Sequence, residues 1–167
     1  LEFRRVLFRS NRPLSQLGDH QPITYSCPGR AGYAVDVVYE GAYVRVLFRR
    51  TGEKRVAAQL GAGYDVGDTV EWRGIPSASG FEPRAAIIRL KIRDAKGKLG
   101  EVLGLVRVDG GRACAAAFID AAANRDASEL ARRTADEIAE GAGCGELAPR
   151  VVGVATERAA AAMAAAR

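Results

Sequence analysis

Short runs of the chain alternate apolar and polar residues with a period of two. Tyr33, Val35, Val37 and Tyr39 alternate with Ala34, Asp36 and Glu40, Gly41 offers a turn, and Val44, Val46 and Phe48 then alternate with Tyr43, Arg45 and Arg49. Two such runs separated by a glycine turn predict a β-hairpin. A polar turn, Thr51 to Lys54, leads to a short strand from Arg55 to Leu60, and Thr69 to Arg73 predicts another that carries Trp72. After a loop from Pro76 to Gly80, Ala86, Ile88, Leu90 and Ile92 face one way and Arg89, Lys91 and Arg93 the other, which predicts one core face and one wet face. Glu101 to Val108 and Arg112 to Ile119 complete about seven strands with short links, the pattern of an antiparallel barrel-like or sandwich sheet. Parallel βαβ units are excluded on this reading, because no crossover helices lie between these strands.

One segment changes period. From Asp126, with Glu129 three places on as in a capping box, Leu130, Thr134 and Ile138 flanked by Ala127, Ala131 and Ala135 form a narrow apolar stripe. This predicts a helix over about 126–142, packed on the sheet, with Arg132, Arg133, Asp136, Glu137 and Glu140 off the stripe. Thr156 to Arg167 is alanine-rich and helix-prone, but its side chains are too small to anchor it, so residues 155–167 are expected to be a fraying helix or tail. Residues 11–32 hold three prolines and no period, which predicts a tether leading into one β-rich domain over 33–154.

Leu1 to Ser10 (LEFRRVLFRS) has the residue types of an amphipathic strand, yet it resembles the in-frame translation of a short-read sequencing adapter. The resemblance implies that this decapeptide is not part of the gene and that the natural start, with any export signal, is missing. Arg5 to Arg9 recurs letter for letter as Arg45 to Arg49, but the flanking residues do not correspond and the echo is not a repeat. Without the decapeptide the net charge falls from +5 to +3, since three arginines and one glutamate are removed. A surplus of that size fits an ordinary solvated surface as well as a polyanion-binding one. No apolar run is long enough to span a membrane.

Three cysteines, Cys27, Cys114 and Cys144, bear on the compartment. In a cytosolic chain they would be buried or catalytic; in an exported one two would pair and one would be left over. Cys114 lies on an apolar strand and Cys144 follows the predicted helix closely, so a bridge between them would staple helix to sheet, worth about 3–4 kcal/mol in the chain-entropy model. Cys27 would then be the odd thiol, and a partner for it is expected, if anywhere, in the missing N-terminus.

Catalytic chemistry finds little support. Gly61-Ala62-Gly63-Tyr64-Asp65-Val66-Gly67 has the wrong glycine spacing for a dinucleotide loop and reads as a turn capped by Asp65 and Asp68. His20, the single histidine, sits in the tether, and Ser77 and Ser79 have no visible base. Glu40 with Glu71, or Asp120 with Asp126, are candidate carboxylate pairs for acid–base work, with surface charge the plainer explanation. No cofactor or metal site is expected. Binding has more to rest on: Tyr43, Arg45 and Arg49 on one strand and Arg89, Lys91 and Arg93 on another would make a basic, aromatic-bearing band if the two strands are neighbours, as in an oligonucleotide- or polyanion-binding barrel.

The segment holding Cys114, Phe118-Ile119-Asp120-Ala121, Asn124, Leu130-Ala131-Arg132, Ala135-Asp136 and Cys144-Gly145, preceded by Val70-Glu71-Trp72-Arg73-Gly74, resembles a group of uncharacterised exported proteins of Gram-negative bacteria. The resemblance implies a periplasmic or secreted protein with a Cys114–Cys144 bridge, and no particular activity. The expectation is therefore a non-enzymatic envelope module that binds or supports an unidentified envelope component or protein, away from cytosolic nucleic acid. A polyanion-binding barrel and a small hydrolase without a recognisable motif are the alternatives.

Overall fold

The computed structural model describes residues 2–61, 63–78 and 80–166 except 8–21, with 2–7 described by main chain alone. In chain order the strands are β1 (Glu2–Leu7), β2 (Ile23–Pro28), β3 (Tyr33–Glu40), β4 (Tyr43–Arg50), β5 (Val56–Gly61), β6 (Asp65–Ser77), β7 (Gly80–Arg93), β8 (Leu99–Asp109), β9 (Arg112–Asp120) and β10 (Arg150–Val151). The helices are α1 (Ala127–Glu140), between β9 and β10, and α2 (Glu157–Ala164) at the end. Two sheets result, one ordered β1-β6-β7-β8-β9-β10 and the other β2-β3-β4-β5, and they do not close into a barrel.

The period-two pattern explains how the sheets meet. Val46, Phe48 and Leu60 of the four-stranded sheet and Trp72, Ile88 and Phe118 of the other are all within 1% of full burial and belong to one shared core, a sandwich-like arrangement. Trp72 meets Phe48 edge-on, ring centroids 6.0 Å apart. The opposite face of the larger sheet is not simply wet, as the alternation in β7 had implied. Ala85, Ile87, Leu105 and Ile119 make a second core there under Ala131, Ala135 and Ile138 of α1. Strands buried on both faces lose clean alternation, so β8 and β9 are apolar at nearly every position.

Several expectations are corrected. Among the described residues ten strands replace about seven: β2 and β10 carry too little pattern to be read, and Glu2–Leu7, whose residue types suit a strand, belongs to the decapeptide read as foreign to the gene. Ile23–Pro28 is no tether: it pairs antiparallel with β3 along its whole length. The rest of that stretch, with His20, lies outside the described residues. A parallel crossover exists after all, since β10 pairs with β9 in parallel across α1; its two residues are too few to show in the sequence. Asp126 is the N-cap of α1, but its side chain makes no capping hydrogen bond, so the capping box does not form. The Pro76 to Gly80 loop is a tight hairpin end within β6 and β7, with Ser77 opposite Gly80.

The alanine-rich terminus forms a helix packed on the sheets. Thr156 caps α2 by accepting from Ala159 N at 3.1 Å, and Ala159 and Ala162 are buried. Arg158, beside the cap, donates to Asp120 at 2.8 Å and to Asp94 at 3.2 Å. Polar anchoring replaces the large apolar side chains that the segment lacks. Glu2–Leu7 pairs with β6 from Gly74 to Thr69; it supplies main-chain hydrogen bonds at an open sheet edge, as an extended segment of any origin can. Cys114 and Cys144 form a disulfide with Cα atoms 5.6 Å apart, which ties β9 to the exit of α1.

Candidate binding cleft

Two concavities hold the polar and aromatic residues with most chemical potential. The larger, about 610 Å³, lies at one end of the sheets, where β4, β5, the turn before β6, the end of β7 and α2 converge. Local sequence builds it. Gly61 ends β5, and a Cβ there would stand 2.8 Å from Cβ of Ala165, so glycine is what lets α2 rest against the strand. Gly63 takes φ +78° and turns the chain so that Tyr64 stands at the mouth. The wall contributed by α2 is Ala161, Ala162, Ala164 and Ala165, whose small side chains leave the space open.

Across from that wall stand Tyr43 and Arg45 on β4 and Arg93 at the end of β7. Tyr43 is 68% exposed, the most exposed large apolar side chain of the described residues. The Arg93 guanidinium sits 4.6 Å from the centre of the Tyr64 ring and donates to Gly97 O at 2.8 Å. Arg45 pairs with Glu40 at 2.5 Å through Nη2, while its Nε is buried without a partner.

The second cavity, about 460 Å³, opens between β2 and β3 on one side and β6 and β7 on the other. Asp65 is its hub: it accepts from Tyr39 Oη at 3.1 Å, across the two sheets, pairs with Lys91 at 3.2 Å and also accepts the neighbouring amide of Val66 at 2.8 Å. Burial, followed by the charge of Asp65, pushes the Tyr39 phenol far above its ordinary range. Arg89 is held by Glu101 at 2.7 Å and Ser128 at 3.0 Å. Cys27 lines the same cavity as a free, half-buried thiol, raised by burial and then by Asp36, so at neutral pH it is a protonated and poor nucleophile.

The six residues singled out for binding are thus divided. Tyr43, Arg45 and Arg93 meet at the end cleft, whereas Arg89 and Lys91 line the second cavity, each already ion-paired. Arg49 points elsewhere and clasps Asp36 at 2.5 Å, which Ser26 also contacts at 2.6 Å. The continuous basic band is corrected, because β4 and β7 belong to different sheets and are not neighbours. Three of the four candidate carboxylates are met by an arginine: Glu40 by Arg45, Glu71 by Arg132, and Asp120 by Arg158, while Asp126 stands at the N-cap of α1. Ser79 lies outside the described residues, and among them no three or more acidic, cysteine or histidine side chains gather as a metal site would need.

Tyr64 and the alanines of α2 went unread as site residues. Their signal exists only in three dimensions, since α2 reaches β5 across nearly a hundred residues of chain. No family model, no characterised protein and no solved structure matches this chain.

Proposed function

We propose that the protein is a non-enzymatic binding module of the bacterial envelope and that the end cleft is its binding site. The observation that carries this reading is the convergence of an exposed tyrosine, a second tyrosine stacked by Arg93, and Arg45 around an open apolar wall. Ligand sites combine those ingredients: concave apolar surface with a few convergent polar groups. The disulfide supports an oxidising compartment, where such bridges persist.

The test is amide NMR of the full chain, recovered from the periplasm, against decanoate, a peptidoglycan muropeptide and a heparin hexasaccharide. Shifts confined to Tyr43, Gly63 and the α2 amides, and lost in Ala161→Trp, support the reading. Shifts that track Arg89 and Lys91 with heparin alone would hand the function to a polyanion surface. Silence at the cleft with all three probes would remove it as the site.

A further inference from the structure

We infer that the end cleft takes a singly charged anionic amphiphile, an acyl chain that ends in a carboxylate. This rests on the reading of the cleft as the binding site and names the chemistry it selects.

Three observations carry it. First, the charged residues that line the cleft are Arg45 and Arg93, with no carboxylate among the lining residues, so its polar end favours an anion. Second, both guanidinium groups keep donors in hand. Arg45 spends Nη2 on Glu40 and Arg93 spends Nη1 on a backbone carbonyl while its plane rests on Tyr64, so each keeps its other terminal nitrogen. A carboxylate matches that planar fork. Third, the remaining wall is hydrocarbon. Ala162 and Ile92 are buried, while Ala161, Ala164 and Ala165 present methyl groups to the open space. A polymer of many charges has little use for that wall, and an uncharged chain none for the arginines. With Glu40, just outside the lining, already bound to Arg45, the two arginines leave one net positive charge, which a single carboxylate balances.

The mode of recognition is therefore divided: the head fixes orientation and the tail supplies most of the affinity. Each methylene that reaches the alanine wall should tighten binding roughly three- to fourfold until the wall is covered.

Isothermal titration of the full chain with hexanoate, octanoate and decanoate, each below its micellar concentration, reads that increment directly. Octanol and octyltrimethylammonium test the head. Octanoate is expected to bind at least tenfold more tightly than either, and Arg45→Gln or Arg93→Gln to weaken octanoate about tenfold while octanol is unchanged. Ala161→Trp, at an exposed position, should abolish binding of all three acids without shifting the thermal midpoint. Equal binding of octanol and octanoate overturns the carboxylate head but leaves the cleft as a binding site, and so does preference for the cation. If no acyl compound binds while the muropeptide or heparin still shifts the cleft amides, the ligand class falls and the site stands. If nothing shifts them, both readings fall.

Discussion

Arg73 of β6 and Asp136 of α1 face each other through two parallel hydrogen bonds, Nε to Oδ1 at 2.8 Å and Nη2 to Oδ2 at 2.6 Å. One turn earlier on the helix Arg132 reaches back to Glu71 of the same strand, at 2.9 and 3.4 Å. The polar flank of α1 is thus not a free solvated face. A helix whose buried stripe is mostly alanine has little apolar area to hold it, and two opposed ion pairs fix its rotation over the sheet.

Removing the Asp136 carboxylate should therefore cost more than an ordinary surface charge. Arg73 has a side chain only 11% exposed and would be left without its main partner. Asp136→Ala is expected to destabilise by about 1–3 kcal/mol in urea unfolding, with a coupling of at least about 0.5 kcal/mol to Arg73→Ala in a double-mutant cycle. Glu137→Ala, one residue on, breaks only an exposed pair with Arg150 at 3.8 Å and should stay within about 0.5 kcal/mol. Equal losses for the two variants would show that the bidentate geometry adds nothing.

What could be read in the sequence follows from where each signal resides. The β3–β4 hairpin was legible because Val44, Val46 and Phe48 alternate against water on the other face. β8 and β9 were legible from their apolar runs, and α1 from its change of period. β2 was not, since Pro22 and Pro28 bracket it and its alternation of half-buried and exposed positions mixes tyrosine with serine and cysteine. Nor was the docking of α2: its anchors are Asp120 and Asp94, distant in sequence from Arg158, and a count of apolar side chains misses them. The binding residues were legible as residue types on strand faces, but their division between two cavities depends on which sheet each strand joins.

The Cys114–Cys144 bridge closes a loop of 30 residues around α1. Its loss in the double variant Cys114→Ser/Cys144→Ser should lower stability by about 3–4 kcal/mol on chain-entropy grounds. Non-reducing peptide mapping of protein from the periplasm should find the linked peptide in high yield and Cys27 alkylated more slowly in the folded protein than after unfolding, in keeping with its raised thiol pKa. Free thiols at both Cys114 and Cys144 would contradict the staple.

Gly61 links fold to cleft. Gly61→Val places branched carbon where Ala165 now approaches to 2.8 Å, so the C-terminal end of α2 must lift away. The expected loss is about 1–3 kcal/mol, the usual cost of overpacking. Hydrogen exchange should localise the effect, with protection lost at Ala164 and Ala165 and retained in α1. Unchanged protection in α2 would mean that the helix does not depend on that close approach.

The attachment of α2 should also depend on acid. Asp120 is 1% exposed; burial alone would raise its carboxyl, but Thr156, the amides of Ala122 and Ala123, and Arg158 together hold it below the ordinary carboxylate range. A carboxyl whose pKa is lower folded than unfolded stabilises fully above its unfolded value, about 3.9, and that contribution disappears as pH falls through the folded one. The helix should thus be firmly held at neutral pH and begin to loosen below about pH 4. Asp120→Asn keeps the shape, removes the charge and leaves Arg158 facing a neutral amide, so its stability should be lower at pH 7 and flatter through the acid limb. Amide exchange at Ala159, whose N–H meets the Thr156 cap, follows the detachment directly. Parallel acid limbs for the two proteins would assign the acid sensitivity of the fold to other carboxylates.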